Sequence, residues 1–154
     1  MKRLTLFRHA KTEPDSASGE DFDRRLAERG RADAARMGEE IRMLGLGFDL
    51  VLASPAVRAV ETAELAGLPA RHDQRIYDAS AGELLAIVQE TANDVDRLML
   101  IGHNPGFERL ASRLAGGPVD MPTGSVVEIE LPIDKWNAAA SGRLIRFLTP
   151  SELA

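Results

Sequence analysis

The chain has 154 residues, a net charge of −5 and an apolar fraction of 44%, which suits one compact domain spanning residues 1–154 and is too short for two ordinary ones. The absence of cysteine excludes disulfides, thiolate metal sites and a Cys nucleophile, and it fits a reducing, cytoplasmic setting. Scattered basic residues on an acidic chain argue against a nucleic-acid-binding surface, and no run approaches the roughly 18 apolar residues of a membrane span.

The first apolar run, "LTLF" (Leu4 to Phe7), ends at Arg8 and His9. It is too short for the apolar region of a signal peptide and reads as a buried strand. The polar stretch that follows, Lys11 to Asp23, is a surface loop of the size that often carries function. "ERGRADAARMGEEIRMLG" (Glu28 to Gly45) is helical, with Ala34, Met37, Ile41 and Leu44 on one stripe. A second run, "FDLVLA" (Phe48 to Ala53), leads to "SPAVRAVETAELAG", where Ser54 is placed as a helix cap and Pro55 at the first helical position. "SAGELLAIVQETA" opens with Ser80 and Glu83 at capping-box spacing. A third run, "RLMLI" (Arg97 to Ile101), precedes "GHNPG", where Asn104 and Pro105 again read as a cap and a helix start. His72 reads as a surface or strand-end residue, Thr123 and Gly124 as a turn, and Trp136 as a packing anchor. The tail segments "SVVEIEL" and "GRLIRFL" alternate as strands do and are expected to add antiparallel edges. Strand and helix alternating in this way predict an α/β sandwich around a mostly parallel sheet.

In such a sheet, ligands bind outside the carboxyl ends of the strands. The residues after the three runs should therefore gather on one edge: Arg8 and His9, Ser54 with Arg58, and His103 with Asn104. Two Arg, two His and two helix starts form a cationic pocket, suited to a phosphoryl group. Pairing of Arg58 with Glu61 or Glu64 on the surface is the plainer alternative. No pair of His has helical ligand spacing and no acidic cluster flanks His9 or His103, so the pattern offers no metal site. One side chain must then attack. His9 is the better nucleophile, through Nε2 with Nδ1–H held by a carbonyl, while Arg8, Arg58 and His103 spread the charge of the phosphoryl oxygens.

These residues resemble the histidine phosphatase superfamily. "RHAKTE" is similar to its Arg-His-Gly signature, "SPAVRAVETA" to its Ser-Pro-x-x-Arg-Ala-x-x-Thr-Ala block, and "GHNPG" to the segment holding its second His. "FRHAK", "RIYDAS", "GHNPG" and "PTGSVVEIEL", with the short length, resemble the small SixA-type branch, whose members are described as phosphohistidine phosphatases. Ala10 stands where Gly is usual and Lys11 where many members have Glu.

The resemblance implies a three-layer α/β/α sandwich of phosphoglycerate mutase-like type with one antiparallel strand, no cofactor and no metal. It makes His9 the phosphorylated nucleophile and Arg8, Arg58 and His103 the phosphate pocket. Ser54 and Asn104, read as helix caps first, are expected to touch the substrate only secondarily. Asp78, in "RIYDAS", is the candidate proton donor. The sequence leaves the substrate open between a phosphohistidine on a partner protein and a small phosphomonoester such as a sugar or nucleotide phosphate. A phospho-ligand-binding regulator without turnover is the reading from another class. Oligomeric state is not encoded in any recognisable pattern.

Overall fold

The computed structural model describes residues Met1–Leu153. Six strands form one sheet: β1 (Lys2–Arg8), β2 (Leu50–Ala53), β3 (Arg71–His72), β4 (Arg97–Gly102), β5 (Val126–Leu131) and β6 (Arg143–Leu148), in the order β3-β2-β4-β1-β5-β6. The first four are mutually parallel, and β5 runs against β1. β6 pairs antiparallel with β5 and so points the same way as β1. One strand of the six therefore runs opposite to the rest, as the resemblance implied.

The central strands are apolar on both faces because both are covered. On one side, α3 (Ala81–Gln89) and α4 (Gly106–Ala115) pack over Leu4, Leu6, Leu98, Leu100, Val127 and Ile129. On the other, α1 (Glu28–Met43) and α2 (Val57–Leu65) cover Phe7, Met99, Ile101 and Val51. A short α5 (Pro150–Leu153) lies against α1. Among the described residues, no helix is long and apolar enough to cross a membrane.

Several sequence expectations shift. Leu44 lies just past the end of α1 and is exposed, so the helix stripe ends at Ile41. β2 begins at Leu50 rather than Phe48, because the Asp49 carboxylate turns back to accept the backbone N–H groups of Asp96 and Arg97. β5 is interior rather than an edge, bonded to β1 on one side and β6 on the other. Trp136 is fully buried, donating Nε1–H to the Val95 carbonyl at 2.6 Å, as a packing anchor does. His72 is exposed in β3, and the Ser80–Glu83 capping box is formed.

Gly38 shows how closely α1 and α2 approach. Glycine inside a helix ordinarily costs about 1 kcal/mol relative to alanine. Here a Cβ would stand 2.3 Å from the Ala66 carbonyl oxygen and 2.6 Å from its Cα. Gly38→Ala should therefore destabilise the protein, by about 1–3 kcal/mol on the scale of overpacked cores, despite its better helix propensity. Thermal denaturation reads this out; an unchanged or raised midpoint would mean that the two helices separate freely.

Candidate active site

The strand order creates a switch point between β1 and β4. From β1 the chain leaves across one face of the sheet through α1, and it enters β4 from the other face through α3. Connections that part in this way leave a crevice at the carboxyl ends of the two strands. The register places the ends side by side: Arg8 opposite Gly102 on one side of β4, and Ala53 opposite Ile101 on the other. The His9 N–H donates to the Gly102 carbonyl at 3.0 Å, and the Ser54 N–H donates to that of Ile101 at 2.9 Å. Backbone pairing alone thus sets Arg8-His9, Gly102-His103 and Ser54 in a row.

The side chains meet in a cavity of about 430 Å³ lined by Arg8, His9, Arg58, Asp78, His103 and Asn104, with Thr12, Asp21, Arg24, Tyr77 and Thr123 around them. Arg58, His9 and His103 are only 5%, 6% and 8% exposed. Asp21 and Asp78 are exposed. The cavity thus has a buried floor of cations and imidazoles and a rim that carries carboxylates.

The His9 ring is held in one tautomer. Nδ1 lies 2.7 Å from the Ala10 carbonyl oxygen. A carbonyl can only accept, so Nδ1 carries the proton and Nε2 keeps its lone pair. Burial is the largest influence on the ring's pKa and lowers it. The Ala10 hydrogen bond opposes that, and the charges of Arg58, Arg8 and Arg24 lower it further, from the ordinary 6.5 to about 4. At neutral pH His9 is an uncharged imidazole with a free nitrogen.

His103 stands beside it, ring centroids 5.3 Å apart. Its Nε2 is 2.7 Å from Ser54 Oγ, which itself accepts the Ala56 N–H. That hydroxyl can donate its own proton to Nε2, which leaves the ring N–H on Nδ1. Burial, followed by the neighbouring His9 and Arg58, lowers the His103 pKa to about 3.

Arg8 donates Nη1–H to the Met121 carbonyl at 2.8 Å. Burial lowers its pKa, against the opposing charge of Glu108, but a guanidinium keeps its proton in any protein environment. Arg58 donates through Nη1 to the Asp21 carbonyl at 2.8 Å and through Nη2 to the Asp21 carboxylate at 2.9 Å. Asp21 also accepts from the Tyr77 hydroxyl and from Arg24 Nε. Burial would raise the Asp21 pKa, but the hydrogen bonds from Tyr77 and Arg58 outweigh it and hold the group at about 2. Arg58 therefore pairs with Asp21 and not with Glu61 or Glu64. Glu61 instead binds Arg25, Arg31 and the Leu26 N–H, anchoring the end of the 11–27 loop onto α2.

Arg8 Nε, Arg58 Nε and His103 Nδ1 are buried and have no hydrogen-bond partner among the described residues. A buried donor left without an acceptor costs about 1–3 kcal/mol. Three such atoms sit on three side chains that line one cavity, an arrangement whose N–H groups a compact anion with several acceptor oxygens could satisfy.

Two residues depart from their expected roles. α2 begins at Val57, so Ser54 is not its cap; the Ser54 hydroxyl lies in the turn before the helix and is bonded to His103. α4 begins at Gly106, and Asn104 accepts the Glu108 N–H through Oδ1 while its Nδ2 donates to Glu108 and to the Met121 carbonyl. Both amide groups of that side chain are thereby occupied. Asp78 lines the cavity from a left-handed backbone position, φ 58°. Thr123 and Gly124 form a turn, Gly124 at φ 76°, whose N–H donates to the His9 carbonyl at 2.9 Å. Sequence reasoning missed Asp21, Arg24 and Tyr77; the signal for Asp21 was the length and polarity of the loop after His9, and that for Tyr77 its place in "RIYDAS".

Among the described residues, no group of three or more His, Cys, Asp or Glu stands close enough together to hold a metal ion.

Residues 4–106 match the model of the histidine phosphatase superfamily (branch 1). The chain is 31% identical over 153 residues to an uncharacterised chloroplastic protein of Arabidopsis thaliana, covering 90% of this chain and 70% of the relative. It is 37% identical over 111 residues to an uncharacterised protein of Mycobacterium tuberculosis, covering 70% of this chain and 69% of the relative. Among solved structures, the SixA protein of Agrobacterium tumefaciens superposes with a TM-score of 0.84 at 27% identity, covering 97% of this chain and 98% of that one. The SixA protein of Nakamurella multipartitia shares the fold, with a TM-score of 0.86 at 23% identity, covering 97% of this chain and 96% of that one. The chain belongs to the histidine phosphatase superfamily, in its SixA-type branch, and is a phosphatase.

Proposed function

We propose that the protein hydrolyses phosphohistidine on a partner protein, without a metal, through a phosphohistidine formed on its own His9. The observation that carries this reading is the neutral His9, fixed with Nε2 free, beside three side chains whose buried N–H groups have no partner of their own. In the first step Nε2 attacks phosphorus, the bond from phosphorus to the leaving nitrogen breaks, and Arg8, Arg58 and His103 hold the equatorial oxygens. In the second, water attacks the phosphorus on His9 and orthophosphate leaves, restoring the neutral imidazole.

The protonation state of the site supports a nitrogen leaving group. An alkoxide must be protonated as it departs, and the efficient donor has a pKa near the working pH. His9, His103 and Asp21 lie at about 4, 3 and 2, so none of them holds a proton to give. A phosphohistidine whose other ring nitrogen is protonated leaves as a neutral imidazole and needs no such donor. For oxygen leaving groups the rim carboxyl of Asp78 is the group we assign to proton delivery, and this keeps small phosphomonoesters as the second reading. A cytoplasmic setting agrees with the lack of cysteine.

The test is a rapid acid-free quench after mixing the protein, in EDTA, with a partner protein carrying labelled phosphohistidine. Label should transfer to this chain in an alkali-stable, acid-labile form and then appear as orthophosphate. Loss of all transfer in EDTA, with recovery on adding a divalent metal, would exclude the metal-free mechanism. Binding of the phosphoprotein without transfer would favour a regulator.

A further inference from the structure

Thr62 lies in the "SPAVRAVETA" block, in the middle of α2, and is 0% exposed. Its side chain does not line the cavity. Its hydroxyl donates to the Arg58 carbonyl at 2.8 Å, one turn back, and accepts the Ala10 N–H at 3.1 Å. One oxygen therefore joins the backbone of the helix that carries Arg58 to the peptide immediately after His9. The same His9–Ala10 peptide is held from the opposite side by the Gly124 N–H on the His9 carbonyl at 2.9 Å. Without the hydroxyl, the Ala10 N–H would be buried with no acceptor, since Ala10 is itself 0% exposed.

We infer that Thr62 is a positioning residue: its hydroxyl fixes the distance between the His9 ring and the Arg58 guanidinium by tying the end of β1 to α2. This rests on the proposed role of His9 as nucleophile. Arg8 and His9 belong to a strand end, whereas Arg58 belongs to a helix on one face of the sheet. These two supports are separate pieces of chain, and Thr62 is the side chain that bonds both next to the site. Attack on phosphorus needs Nε2 in line with the breaking bond while Arg58 grips the oxygens. A shift of about 1 Å between such groups can lower the rate by about 10²-fold. Ground-state anion binding tolerates the shift better, because a guanidinium can follow the oxygens by rotating its own side chain.

The experiment compares Thr62→Val, Thr62→Ala and Thr62→Ser with the unaltered protein on an aryl phosphate in EDTA, with circular dichroism to establish folding. Thr62→Val keeps the shape and removes the hydroxyl; Thr62→Ala removes the hydroxyl and the methyl group but is a better helix former. Both should lose about 10- to 100-fold in kcat with KM within about threefold, and Thr62→Ser should return kcat to near the original value. A folded Val or Ala variant with unchanged kcat overturns the inference. So does a Ser variant as slow as Val, because restoring the hydroxyl would then restore nothing. If neither Val nor Ala folds, the hydroxyl is a requirement of the fold and the positioning role is likewise overturned. His9→Ala in the same assay separates the two ideas: turnover that survives it refutes the nucleophile, whereas its loss beside a fully active Thr62→Val refutes the positioning role alone.

Discussion

His9→Ala lowers phosphatase turnover by at least about 10⁴-fold, the scale seen when the covalent nucleophile of an enzyme is removed. No neighbour can take over. His103 is the other imidazole within reach, but its Nε2 is engaged by Ser54 at 2.7 Å, and its proton on Nδ1 leaves no second free lone pair. Steady-state hydrolysis of an aryl phosphate measures the loss, and orthovanadate or tungstate binding to the variant shows that the pocket persists. Residual turnover within tenfold of the original would remove His9 from the mechanism.

The protonation of His9 has its own consequence. Its folded pKa, near 4, lies below the ordinary 6.5. The folded protein therefore binds fewer protons here than the unfolded chain between those values, and stability falls as the pH drops through that window. The His9 ring resonances should stay unshifted from pH 8 to about 5 and move only near pH 4. A midpoint at 6 or above would mean that the nucleophile is substantially protonated under ordinary conditions.

Arg58→Met should cost about 10²–10³-fold in kcat/KM, the scale for removing one fixed donor to a developing charge. It should also release Asp21, whose carboxyl loses a hydrogen bond and the nearest cation and so titrates above its present value of about 2. Asp21→Asn removes charge from the same contact but leaves the Asp21 carbonyl on Arg58 Nη1, so the guanidinium stays partly braced. Its loss should be smaller, about tenfold, the low end of the scale for one hydrogen bond to a charged group. The order of the two variants is the informative result: equal losses would mean that Arg58 acts only through Asp21, and an Arg58→Met enzyme within threefold of the original would take Arg58 out of the site. Parallel kcat/KM determinations on one substrate settle the order.

The site was readable where the chemistry sits at strand ends. Arg8-His9 and Gly102-His103 each interrupt an apolar run, and a buried strand interrupted by such residues marks the carboxyl edge of the sheet. Arg58 was readable from its place in the block after Ser54. The caps were less so. Ser54 and Asn104 have the local pattern of helix starts, yet each helix begins two or more residues later. The His103 ring captured the Ser54 side chain, whereas Asn104 still accepts the Glu108 N–H in the first turn of α4 and adds a bond to the distant Met121 carbonyl. A capping preference of about 1 kcal/mol is easily overridden by a buried bond to another element.

Asp21 was not readable at all. It is one of five acidic residues between Glu13 and Asp23, and nothing local separates it from the rest. Only the docking of that loop, with Glu61 gripping Arg25 and the Leu26 N–H, brings it to Arg58 and Tyr77.

The sequence by itself determined the layered α/β architecture and the identity of Arg8, His9, Arg58 and His103 on the cavity floor. Apolar runs and helix stripes are periodic local signals, and strand ends in a parallel sheet share one edge whatever the loops do. Only the tertiary structure decided the interior place of β5, the tautomer of His9, the partner of Arg58 and the bridging role of Thr62. Each of these depends on which distant backbone or carboxylate comes within hydrogen-bond reach, and distances between separate elements are not written in local sequence patterns.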